Sequence, residues 1–134
     1  MKRDTHQRSS IWAALANSGR PLSVNEVFEL ARKKVCGLGI ATVYRNLKNL
    51  QTQGMIIKVG LPGQSPRWEV IPENHHHHFL CRKCDKIFEI NSCPEDLIGM
   101  LPSGYTLEEH DILLRGICSE CNAPKTKRGS KRCL

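Results

Sequence analysis

The chain has 134 residues and 40% hydrophobic content, enough for one modest core or two small ones. Its net charge of +7 is unevenly spread, residues 1–60 carrying +7, residues 61–121 −5 and residues 122–134 +5, which points to one part facing a polyanion and another handling cations. No apolar run approaches the roughly 20 residues that cross a bilayer and the polar N-terminus lacks a secretory core, so a membrane is excluded as partner, a cytoplasmic location is expected, and the seven cysteines are read as thiols rather than a disulfide framework.

In chain order, Ile11, Trp12 and Leu15 sit at helical spacing within Arg8 to Asn17, and Ser18-Gly19-Arg20-Pro21 breaks that helix. Ser23 with Glu26 makes a capping box, after which Val24, Val27, Phe28, Ala31 and Val35 share one face until Gly37 and Gly39 end it. Cys36, beside that face, is expected in the core. A third helix is predicted over Ile40 to Gln53, with Val43, Leu47 and Leu50 inward and Thr42, Tyr44, Arg45, Lys48 and Asn49 outward. Met55 to Val59 and Arg67 to Ile71, separated by a Gly- and Pro-rich loop, read as a hairpin. Three helices and a hairpin predict a winged helix-turn-helix. Its third helix would enter the major groove of double-stranded DNA, where Arg pairs bidentately with guanine and an aromatic ring touches thymine methyls.

The second half changes character. Phe79 to Cys81 and Lys86 to Ile90 read as strands around Cys81-x-x-Cys84, Pro94 to Leu101 as a short helix, and Leu107 to Ile117 as a strand leading into Cys118-x-x-Cys121. The class is α+β, a winged helix-turn-helix followed by a small α/β domain. Four thiolates from two such knuckles give Zn2+ a closed tetrahedral shell with no position open for chemistry, so this ion is structural. Four consecutive histidines, His75 to His78, precede the first knuckle. On a strand, alternate side chains face opposite ways, so His76 and His78 serve one site and His75 and His77 another.

The nonapeptide Gly39-Ile-Ala-Thr-Val-Tyr-Arg-Asn-Leu47, the histidine run with its Cys-x-x-Cys, and the second Cys-x-x-Cys together resemble the ferric uptake regulator (Fur) family of metal-responsive repressors. The resemblance covers nearly the whole chain. It implies a winged-helix DNA-binding domain at 1–71, a hinge at 72–74, a metal-binding dimerisation domain at 75–121, and leaves a basic tail at 122–134 that is read as disordered and contains Cys133. It implies DNA contact by Tyr44 and Arg45, a homodimer, and a pseudo-palindromic, A·T-rich operator. The family's sensory site maps onto Glu69, His76, His78 and Glu89, whose nitrogen and carboxylate donors suit Fe2+, Mn2+ or Zn2+. Its other site maps onto His75, His77, Asp96 and His110, where His77 stands at a position commonly Asp.

The chain departs from the family at Gly19-Arg20-Pro21-Leu22-Ser23, where many members carry a further sensory histidine before the capping Ser. Cys93 is either a small buried filler or an additional thiolate. The expected function is an iron-responsive repressor of metal homeostasis, with zinc- or peroxide-responsive regulation as alternatives. A DNA-binding dimer with zinc only structural is a further rival. A metalloenzyme would need an open metal position with a nearby base, and no H-E-x-x-H or similar signature is present; no catalytic residue is expected.

Overall fold

The computed structural model describes residues 2–123; the basic tail from residue 124 onward, Cys133 included, lies outside the described residues. The chain divides into two compact units between Glu73 and Asn74. Helices α1 (Lys2–Ser18), α2 (Val24–Ala31) and α3 (Ile40–Thr52) precede strands β1 (Ile56–Val59) and β2 (Arg67–Val70) in the first unit. Strands β3 (His77–Cys81) and β4 (Ile87–Ile90), a 3-10 turn (Ile98–Met100) and β5 (Leu113–Gly116) make up the second. The α+β class expected from the sequence is the one observed. No helix among the described residues is long and apolar enough to cross a membrane.

The first unit is held by one cluster in which Ile11, Leu15, Leu22, Val27, Val43, Leu47, Leu50 and Ile56 are buried. The capping box forms: the Ser23 N–H donates to Glu26 Oε1 at 2.9 Å, and the Glu26 N–H donates to Ser23 Oγ at 3.2 Å. Arg20 adds an ion pair to the same Glu26 carboxylate at 2.6 Å. Two helical details differ from expectation. Helix α1 begins at Lys2 rather than Arg8, in a polar stretch that gives no apolar periodicity although Gln7 is buried there. Helix α2 stops at Ala31, so Cys36 falls beyond its inner face and is exposed, not core. Pro21 and Leu22 are buried, and Leu22 exchanges two backbone hydrogen bonds of 2.8 Å with Trp68, adding a short bridge to the wing.

Helix α3 ends where Gly54 adopts φ +78° and Met55 N–H reaches the Leu50 carbonyl at 3.0 Å, a left-handed closure that glycine makes without steric cost. The chain then enters the β1–β2 hairpin, whose register sets Lys58 opposite Trp68 and Ile57 opposite Glu69.

In the second unit β3 is central, antiparallel to β4 and parallel to β5. Its register pairs His78 with Glu89 and His77 with Ile90. The expected helix at Pro94 to Leu101 is observed only as the 3-10 turn, and Asp96 Oδ1 accepts from the Gly99 N–H at 3.2 Å just ahead of it. The expected long strand from Leu107 is confined to Leu113–Gly116.

Candidate functional sites

Four cysteines from two knuckles converge in the second unit. The ligand atoms of Cys81, Cys84, Cys118 and Cys121 lie within 4.8 Å of one another, and Cys84 and Cys118 sulfurs are 3.9 Å apart. Two thiolates on one tetrahedral zinc stand about 3.8 Å apart, given Zn–S bonds of roughly 2.3 Å, so the donors fit the ion. Cys81 Sγ accepts from the backbone N–H groups of Lys83, Cys84 and Cys118 at 3.4, 3.5 and 3.3 Å. Burial alone would push the Cys81 thiol up; those N–H groups outweigh it and bring it down to about 6. Burial raises the Cys84 thiol to about 11, with the neighbouring Cys81 and Cys118 sulfurs adding to the effect. Asp85, at φ 63°, closes the first knuckle in a conformation that aspartate tolerates.

The histidines sort by strand alternation. His76 and His78 rings lie 4.8 Å apart, and His76 Nε2 is 3.8 Å from Glu89 Oε2 on the neighbouring strand. Two nitrogens and a carboxylate are therefore grouped on one face of the β3–β4 pair. Glu69, the fourth residue expected there, belongs to the first unit, where it lies buried on β2.

On the opposite face His75 Nε2 approaches His77 Nε2 and His110 Nε2, each at 3.1 Å. Asp96 does not join them, its carboxylate being engaged with Gly99. Cys93 does: its sulfur lies 3.4 Å from His77 Nε2 and 3.0 Å from His110 Nε2, and the residue is exposed rather than a buried filler. Burial, then the neighbouring His75 and His110, lower the pKa of His77 and favour its neutral ring. The only advance signal for Cys93 was its residue type near a ligand-rich strand, since the fold of residues 91–97 decides where the sulfur points.

On α3, Val43, Leu47 and Leu50 are buried while Tyr44, Arg45, Lys48 and Asn49 are exposed. Thr42 is half-buried and its Oγ1 receives Arg45 Nη2 at 3.4 Å. Tyr44, Lys48, Gln51 and Thr52 recur at helical spacing and, with Lys58 and Trp68, line a groove of about 590 Å³. Trp68 organises this groove. Its Nε1–H donates to Gln51 Oε1 at 3.1 Å and its ring meets Tyr44 edge-on at a centroid distance of 6.5 Å. Gln51 and Lys58 were missed in the sequence as members of this surface; the hairpin's approach to α3, which brings them there, has no local signature.

The profile of the Ferric uptake regulator family matches residues 2–115. The ferric uptake regulation protein of Haemophilus influenzae is 29% identical over 125 residues, 88% of this chain and 84% of its own length. The structure of the Helicobacter pylori ferric uptake regulator Fur, described as having three functional metal binding sites, superposes with TM-score 0.66 at 28% identity, covering 90% of this chain and 82% of that one. A zinc-bound manganese uptake regulator superposes with TM-score 0.71 at 27% identity, over 84% of this chain and 87% of that one.

Proposed function

From the premise that this chain belongs to the ferric uptake regulator family of metal-responsive transcriptional regulators, we propose that it is a cytoplasmic, homodimeric repressor whose corepressor is a divalent ion, Fe2+ first among Fe2+, Zn2+ and Mn2+. The family is one of regulators rather than enzymes, and we assign no catalytic residue. The observation that carries the reading is the grouping of His76, His78 and Glu89 apart from the four-cysteine group, which divides metal sensing from metal stapling.

Each segment would take one share of the work. Residues 1–71 bind DNA, 72–74 act as hinge, and 75–121 hold metal and dimerise. Arg45 and Asn49 read base edges, Tyr44 contacts thymine methyls, and Thr42 and Lys48 fix α3 against the backbone of an A·T-rich pseudo-palindrome. Cys81, Cys84, Cys118 and Cys121 hold structural Zn2+. His76, His78 and Glu89 hold the regulatory ion, with Glu69 carried over from the family resemblance as the ligand that belongs to the DNA-binding unit. When bound, the ion supplies a positive charge that both donor types share. A preference of a few kcal/mol for the DNA-competent arrangement is enough to change operator occupancy substantially.

The test is operator binding titrated with Fe2+, Zn2+ and Mn2+ in the parent and in Glu69→Ala. The variant is expected to keep one structural zinc per chain and lose the metal response; a response equal to the parent's would remove Glu69 from the mechanism.

A further inference from the structure

We propose that His75, His77, Cys93 and His110 form a second zinc centre in which the Cys93 thiolate, and not the Asp96 carboxylate, is the fourth ligand. This does not depend on His76 and His78 being the regulatory site. The four donor atoms touch in a closed circuit: His77 to His75 and His75 to His110 at 3.1 Å each, His110 to Cys93 at 3.0 Å, and Cys93 to His77 at 3.4 Å. A tetrahedral ion with Zn–N bonds of roughly 2.0 Å and Zn–S bonds of roughly 2.3 Å separates two nitrogens by about 3.3 Å and a nitrogen from a sulfur by about 3.5 Å. The observed spacings fall within a few tenths of an ångström of these, except for the closer His110–Cys93 contact.

Protons alone serve this circuit poorly. A neutral ring nitrogen holds either one proton or one lone pair, so His75 Nε2 can make a full hydrogen bond to only one of His77 and His110 although both stand at 3.1 Å. The Ile112 N–H donates to His77 Nδ1 at 3.2 Å, which places the neutral ring's proton on Nε2, inside the group. An ion bound at Nε2 requires that proton to move to Nδ1 at the expense of the Ile112 bond, a cost that the other three ligands must offset.

Two further features favour a cation. Glu108, Glu109 and Asp111 line a cavity of about 330 Å³ together with His75 and His110, so the approach to the group is acidic. Asp96 lies outside the group, its Oδ1 accepting from the Gly99 N–H, whereas the Cys93 sulfur already stands among the ring nitrogens. The donor set also sets selectivity. Three imidazoles and a thiolate favour zinc over manganese or ferrous iron, which the carboxylate-bearing set expected from the sequence would have accommodated more readily.

The full-length protein, with its four-cysteine centre already filled with zinc, is titrated with Co2+ while near-ultraviolet absorption is followed. A thiolate-to-cobalt charge-transfer band should grow to one equivalent per chain, survive in Asp96→Ala and Cys36→Ser, and vanish in Cys93→Ser. Because His76, His78 and their carboxylates contain no sulfur, cobalt bound there adds no such band. Absence of the band in the parent protein overturns the proposal whatever the folding of the variants, as does its persistence in Cys93→Ser or its loss in Asp96→Ala.

Discussion

Replacing Cys81 with Ser tests how much of the second unit depends on its knuckles. Cys81 is fully buried and its sulfur receives three backbone N–H groups, so the exchange removes a zinc ligand and an acceptor shared by both knuckles. Among the described residues of this unit the buried aliphatic side chains are Leu80 and Ile87, each contributing roughly 1.5–3 kcal/mol on burial. Structural zinc contributes about 10–16 kcal/mol of apparent binding free energy in comparable knuckles. The ion therefore outweighs those two side chains together by about twofold or more, and ordering each residue costs roughly 1–2 kcal/mol in backbone entropy. Cys81→Ser should accordingly lose one tightly bound zinc per chain and most amide-exchange protection in β3 and β4, while α1 to α3, with their own core, keep theirs. Metal analysis joined to hydrogen exchange resolved by segment reads both, with Cys36→Ser, an exposed site, as the unaffected control. A Cys81→Ser protein that retained its zinc or its β3–β4 protection would refute the reasoning.

Zinc retention should also depend on pH with a definite sign. Without its ion the fold already favours the Cys81 thiolate, so the stability it gives is present in full above the ordinary thiol range and disappears as pH falls through about 6; zinc uptake by the zinc-free protein should weaken over that fall, and an affinity unchanged by it would contradict the assignment. On α3, Arg45→Ala should cost roughly 1–3 kcal/mol and relax preference at one base position, whereas Lys48→Ala should weaken all sequences alike and reduce the salt slope by about one; unchanged operator affinity in both would place the interface on another element. Leu47, fully buried on the opposite face of α3, should cost about 2–5 kcal/mol on replacement by Ala, read as a lower denaturant midpoint. A loss under about 1 kcal/mol there would mean the core relaxes around the gap.

Helix α3, the Ser23–Glu26 capping box and the two knuckles were legible because each rests on a local rule: apolar spacing at 3.6 residues, a reciprocal side-chain cap, and paired thiols at a fixed interval. The sorting of the histidines was legible for the same reason, strand alternation being independent of what surrounds the strand. What escaped the sequence depends on contacts made at a distance. The bridge between Leu22 and Trp68 needs the wing to fold back on the segment before α2. The first turns of α1 are polar and bury Gln7 without an apolar stripe. Residues 94–101 read as a helix because Pro94 suits a first turn, but only Ile98–Met100 coil, as a 3-10 turn, and the loop before them brings the Cys93 sulfur rather than the Asp96 carboxylate to the histidines.

Strand β3 and the residues just before it carry donors for three different groupings: His76 and His78 on one face, His75 and His77 on the other, and Cys81 at the end. Substitutions and length changes therefore have very different consequences here. Exchanging one histidine alters one grouping and leaves its neighbours in place, so each can drift separately in its choice of ion. Adding or deleting a single residue at Phe79 or Leu80 turns every histidine over relative to the knuckle, so that both histidine groupings trade partners in one event. The spacing between His78 and Cys81 thus fixes, for this chain, which histidines share a face, and no change of one residue leaves that assignment intact.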